Sequence, residues 1–209
     1  PCLCGVFPVK NGKCVVLDIG ANAECRPEFL LQFASMGATY AKTILGKENP
    51  KIGLLSNGEE EGKGNDLVRE TYPLMKDMFE EFYGNIEGKE LFNGIVDVAV
   101  TDGFTGNILL KSTEAVAKLI LETIRESIMT SLRTKIGGLI VKPAFDKVKK
   151  ILDPSEIGAA PLLGIDGLVL VGHGRSDGKA MLSAILSAKQ AVESGLLESL
   201  RNSINQNSH

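Results

Sequence analysis

Tryptophan is absent from this 209-residue chain, aromatic residues make up only 5% of it, and histidine occurs twice, as His173 and His209. The first two shortages exclude an aromatic platform for stacking bases. The third leaves too few imidazoles for a histidine-based metal centre. Long apolar runs are missing too: none reaches the roughly 18 residues of a membrane-spanning helix. Nor is there an excess of positive charge. A net charge of −3 argues against nucleic acid as the general partner, because a phosphate backbone calls for clustered basic residues. Cysteine is confined to Cys2, Cys4, Cys14 and Cys25. With no histidine nearby, these read as small reduced thiols, buried or half-buried.

What the chain does have is glycine, 23 residues of it, gathered in clusters. Hydrophobic residues reach 44%, enough for one sizeable core, and that share excludes a disordered chain. The chain opens at Pro1 inside what reads as a strand, so further N-terminal sequence is expected ahead of it. No signal-peptide pattern is visible.

Cys2 to Val9 and Lys13 to Ile19 are apolar and β-branched, and Lys10-Asn11-Gly12 between them predicts a hairpin. A helix is predicted from Pro27, with Leu30, Phe33, Ala34, Gly37 and Ala41 at helical spacing and Gly46 closing it. Ile52 to Leu55 is a strand that runs into a polar loop ending at Gly64-Asn65, and the helix beyond it is expected to bend or divide at Pro73. Val96 to Val100 and Leu168 to Val171 read as two more strands, each followed by a glycine-rich loop and a helix. The recurring unit predicts a layered α/β fold, a mostly parallel sheet with helices on both faces. Loops that follow such strands gather along one edge and form the ligand crevice. Residues 1–209 are read as a single α/β region carrying a basic amphipathic arm at about 131–150.

Four loops carry candidate chemistry. Gly62-Lys63-Gly64-Asn65 has anion-binding character: exposed amides, a helix N-terminus and one full charge. Its bland alternative is a turn of solvated charges, which Glu59, Glu60 and Glu61 favour. In Asp102-Gly103-Phe104-Thr105-Gly106-Asn107, the amides with Thr105 and Asn107 offer donors to a phosphate or an oxyanion. The alternative there is a tight turn that Asp102 caps. His173, in Gly172-His173-Gly174-Arg175, reads equally as a general acid–base group or a structural one. Asp18 to Asn22 leaves a metal role and a capping role unseparated. Residues 131–150 mix lysines with bulky apolar groups, including Leu139, Ile140, Val141, Lys142, Phe145 and Lys147. That mixture points to an acidic protein partner, an anionic membrane surface or a dimer arm.

Taken in order, Leu17 to Asn22, Gly53 to Glu60, Lys63-Gly64-Asn65, Gly84 to Gly88, Thr101 to Asn107 and Gly158 through His173-Gly174 resemble the phosphate acyltransferases of bacterial phospholipid synthesis, the PlsX family. The resemblance covers essentially the whole chain. It departs at Arg175 and Asp177-Gly178, where a smaller run after His-Gly is expected. It implies a fold similar to that of phosphate acetyltransferases and isocitrate/isopropylmalate dehydrogenases, with an N-terminal segment carrying the first strands. The implied reaction moves a long-chain acyl group from acyl carrier protein to inorganic phosphate. The acyl phosphate then feeds a membrane acyltransferase.

Among site residues, the resemblance implies Lys63 on phosphate or carbonyl oxygen and Asn107 in oxyanion binding, with Asp102 and His173 as further catalytic candidates. Gly64, Asn65, Gly103, Thr105 and Gly106 would line the anion site. No metal and no cofactor is required by this chemistry. A cytoplasmic homodimer at the inner face of the membrane is implied, with residues 139–147 meeting membrane or carrier protein. Rival readings are a phosphate acetyl- or butyryltransferase using short acyl-CoA, a decarboxylating hydroxy-acid dehydrogenase, and a non-catalytic scaffold that recruits carrier protein. The acids Asp18, Asp97, Asp102 and Asp177 are too scattered to favour the dehydrogenase.

Overall fold

The structure, a computed structural model, describes residues 1–10, 12–152, 159–172, 174 and 176–206, with the side chains of all these except 150–152 and 204–206. Its centre is a five-stranded sheet. β2 (Gly5–Val9) pairs antiparallel with β3 (Gly12–Leu17), the predicted hairpin, and β3 continues parallel to β6 (Val98–Val100). Then come β4 (Ile52–Leu55) and β5 (Phe82–Ile86), also parallel, giving the order β2-β3-β6-β4-β5. The mostly parallel layered sheet expected from the sequence is therefore present.

Alternation along the strands sends neighbouring side chains to opposite faces. Val15 and Leu17 of β3 join one core cluster, and Cys14 and Val16 join the other. The first face is covered by α1 (Pro27–Leu45) and α2 (Asp66–Met78), through Leu30, Phe33 and Met75. α7 (Leu196–Gln206) adds Leu196 and Leu200 to it. The second face is covered by α3 (Gly88–Asn93), through Leu91, and by the start of α4 (Gly103–Met129), through Leu109 and Leu110. α1 begins with Pro27 in its first turn and ends at Gly46 with φ +69°, as its sequence signals foretell. Pro73 lies inside α2 without dividing it.

Two readings are corrected. The strand near Leu168 is β8 (Val169–Gly172), and it pairs antiparallel with β7 (Ala159–Leu163), not with the parallel sheet. With β1 (Cys2–Leu3) these form a separate three-stranded sheet, so the loop after β8 does not follow a strand of the parallel sheet. The fourth parallel strand is β5, whose Gly84 and Asn85 break the apolar run that announces the others.

Of residues 131–150, all but Ser131 belong to α5 (Leu132–Leu152), which packs on the C-terminal half of α4. No described helix is long and apolar enough to cross a membrane. Cys2, Cys4 and Cys14 are buried, Cys25 is half-buried, and all four are unbridged. Burial pushes the Cys14 thiol up to about 12.

Candidate active site

Because β3, β6, β4 and β5 run parallel and lie side by side, the loops at their C-terminal ends share one edge in that order. Asp18 to Asn22 comes first, then Asp102 to Asn107, then Ser56 to Asn65, then Glu87. The expected loop from Asp102 to Asn107 is in fact the N-cap and opening turns of α4, so Asn107 sits on a helix after β6 and Lys63 in the loop after the adjacent strand β4.

The first loop is organised by a fully buried carboxylate. Asp18 accepts from the amides of Leu3 at 3.0 Å, Gly20 at 3.0 Å, Ala21 at 2.9 Å and Asn22 at 2.7 Å, and from Asn22 Nδ2 at 2.8 Å. Backbone donors thus compensate the charge, and the capping alternative describes this residue. The peptide bond before it, Leu17–Asp18, is cis.

The second loop is set directly onto the first. The Gly103 amide donates to the Asn22 carbonyl at 2.8 Å. A Cβ at Gly103 would stand 2.6 Å from that oxygen, and one at Gly106 would overlap the Asp18 carbonyl. Only glycine allows this approach. Asp102 caps α4: Oδ1 accepts from the Thr105 amide and Oδ2 from the Thr105 hydroxyl, both at 2.8 Å. The Gly106 amide donates to the Asp102 carbonyl at 3.0 Å. The donors of Gly103, Thr105 and Gly106 that the sequence offered to an anion are therefore engaged within the fold. The exposed polar side chain left at this turn is Asn107. Its Oδ1 lies 3.6 Å from where a Cβ on Gly20 would stand, at the seam of the two loops.

The third loop is held differently. The Asn57 side chain accepts from the Gly64 amide at 2.9 Å, and Asn65 caps α2 by accepting from the Val68 amide at 3.0 Å. The stem of Lys63 lies over Gly58, its Cγ 2.8 Å from where a Cβ there would stand. Among the described residues no carboxylate pairs with Lys63. Its acidic neighbours are matched by other lysines: Glu59 by Lys89 at 2.8 Å and Glu61 by Lys76 at 3.6 Å. The Lys89 ammonium holds the Glu59 carboxyl below the usual carboxylate range. Oxygens of Glu59, Glu87 and Glu90 come within 4.8 Å of one another, and the Lys89 ammonium pairs with all three carboxylates. Glu60 has no ion pair among the described residues either, and its Oε2 lies 3.1 Å from the same Cβ position on Gly58, beside the Lys63 stem.

His173 lies outside the described residues. The arm residues do not act as one surface. On α5, Leu132, Ile136, Leu139 and Ile140 face outward, with Leu139 74% and Ile140 76% exposed. Val141 and Phe145 turn to the other side and line a cleft with Thr123, Ile124 and Ile128 of α4. Lys142 and Lys147 are exposed. Sequence reasoning passed over Asn57 and Asn85 as site residues. Their signal was a polar side chain at or near the end of an apolar strand.

A family model described as "Fatty acid synthesis protein" matches residues 1–199. Among curated relatives, a protein of Thermus thermophilus named "Phosphate acyltransferase" is 50% identical over 202 residues, 96% of this chain and 62% of that relative. One of Geotalea uraniireducens with the same name is 46% identical over 207 residues, 99% of this chain and 60% of the relative. A third, from Helicobacter pylori, is 48% identical over 195 residues, 93% and 57% respectively. The chain thus spans about three-fifths of the length of the curated relatives it matches.

Proposed function

The chain belongs to the fatty acid synthesis protein family, and from that premise we propose that its parallel-sheet edge carries a phosphate acyltransferase site. The donor is a long-chain acyl thioester of acyl carrier protein and the acceptor is inorganic phosphate. A phosphate oxygen attacks the thioester carbonyl carbon, the carbonyl oxygen becomes an oxyanion, and the C–S bond then breaks. The thiolate takes the proton of the hydrogen phosphate. The products are acyl phosphate and the free carrier thiol.

No covalent nucleophile on the protein is needed, because the acceptor is already an anion. The protein must aim that anion and stabilise the developing oxyanion. The thiol leaves without strong acid assistance, since its pKa is near 8.5. In this reading Lys63 holds phosphate and the Asn107 amide donates to the carbonyl oxygen, while Asp102 and Asp18 hold the turns in place. The observation that carries it is that an unmatched Lys63, in the loop after β4, and an exposed Asn107, near the start of α4 after β6, follow adjacent parallel strands.

The outward face of α5, with Leu139 and Ile140 between exposed lysines, would meet an anionic membrane surface from the cytoplasmic side. Lys142 and Lys147 would also attract an acidic carrier protein. A homodimer delivering acyl phosphate to a membrane acyltransferase completes the reading.

The test is phosphate-dependent formation of hydroxylamine-reactive acyl phosphate by the full-length protein. A long-chain acyl-carrier thioester is compared with acetyl-CoA. We expect turnover on the first, and a loss of about 10²–10³-fold in Lys63→Ala and in Asn107→Ala. Turnover on acetyl-CoA alone transfers the reading to the short-acyl enzymes. Undiminished turnover in both variants removes these residues from the site.

A further inference from the structure

Asn85 sits in β5 opposite Leu54 of β4, at a position where the parallel sheet otherwise carries buried apolar side chains, and is itself 2% exposed. Its Nδ2 donates to the carbonyl oxygen of Glu60 at 2.8 Å. The Lys63 amide donates to that same oxygen at 3.0 Å. One carbonyl thus ties the turn bearing Lys63 to the rigid interior of the sheet, across 25 residues of sequence. The other end of the turn is tied by Asn57 to the Gly64 amide. Among the described residues Asn85 Oδ1 has no partner, so burying this amide carries an uncompensated cost. A leucine at this site would avoid that cost with the same number and branching of side-chain heavy atoms. The polar side chain therefore makes sense by what its single donated hydrogen bond holds.

We infer that Asn85 is a positioning residue, which fixes the Glu60–Gly64 turn through the Glu60 carbonyl and so sets the place of the Lys63 ammonium. This deepens the phosphate acyltransferase reading and rests on it for the role of Lys63. Asn85 touches no substrate; it acts through the turn.

The test is Asn85→Leu in the full-length protein, with amide hydrogen exchange and steady-state kinetics read side by side. Removing both the donor and the unpaired oxygen should leave the melting temperature unchanged or raised. Exchange at the amides of Lys63 and Gly64 should quicken about tenfold while β5 stays protected. kcat/KM for phosphate should fall about 10–100-fold, as expected when a charge is displaced by an ångström or so. A merely structural asparagine would lower stability and activity together, with exchange rising across the whole sheet, and that result overturns the inference. So does unchanged exchange at the turn, or a loosened turn with full activity. Should the leucine variant not fold, Asn85→Ala is read by the same three measurements. A parent protein that makes no acyl phosphate, yet whose turn loosens in the variant, refutes the acyl-transfer reading and leaves the clamp standing.

Discussion

The sheet edge and the α4–α5 hairpin solve opposite problems with the same chain. At the edge, polar groups are buried and matched: Asp18 gathers five donors, and Asp102 closes on Thr105 with both oxygens. On the hairpin, apolar groups are exposed and unmatched, Leu132, Leu139 and Ile140 each by about three-quarters of their surface. The first arrangement suits a small ion, whose recognition depends on tenths of an ångström. The second suits something large and soft, for which area counts more than register.

If that contrast is right, adding one methyl group should have opposite effects in the two regions. Gly106→Ala drives a Cβ into the Asp18 carbonyl, where both partners are backbone and neither can yield. We expect a loss of about 3 kcal/mol, read by denaturant unfolding. Gly137, in α5, has open space where its Cβ would lie. Gly137→Ala should therefore stabilise the hairpin by about 1 kcal/mol, through helix propensity alone. Equal effects at the two positions would erase the distinction.

Per pH unit, a titration in the core behind the edge lies between these in size. The Cys14 thiol is pushed up to about 12 by burial, so the folded protein keeps its proton where the unfolded chain has lost it. Its contribution to stability is complete below the unfolded thiol pKa, near 9, and is lost as pH rises from there to about 12. The slope should be about 1.4 kcal/mol per pH unit for each such thiol, and Cys14→Ala should lessen it in alkaline unfolding curves by that one share, the buried Cys2 and Cys4 thiols still contributing.

The edge was the more legible region because its signals are local. An Asx cap and two glycines occupy six consecutive residues at Asp102 to Asn107, just after a strand, and each has a conformational meaning. The fate of the individual donors was not legible. That Gly103 serves Asn22 depends on the meeting of segments more than eighty residues apart, whereas the closing of Thr105 on Asp102 is a local cap. β5 escaped for the opposite reason: Gly84 and Asn85 break the apolar pattern, and periodicity has no term for a buried polar side chain. β8 read as another parallel strand because an apolar run does not reveal the direction of its partner. On α5 the residue types pointed to a surface, yet spacing alone did not say which stripe α4 would cover.

The smallest stability effect is expected where the functional effect should be largest on the hairpin. Leu139 is 74% exposed and faces away from α4, so Leu139→Glu removes no packed contact and should shift stability by no more than about 0.5 kcal/mol. A charge placed there opposes insertion into the acyl region of a bilayer, and also weakens attraction to anionic lipid. Sedimentation with anionic vesicles should therefore drop, while turnover of a soluble acyl-carrier thioester stays nearly intact. The converse pattern is equally informative. If turnover collapses and vesicle binding persists, the outward stripe of α5 meets the substrate or a second copy of the chain. The two regions then form one site, and the division of labour drawn above between a small ion and a large partner fails.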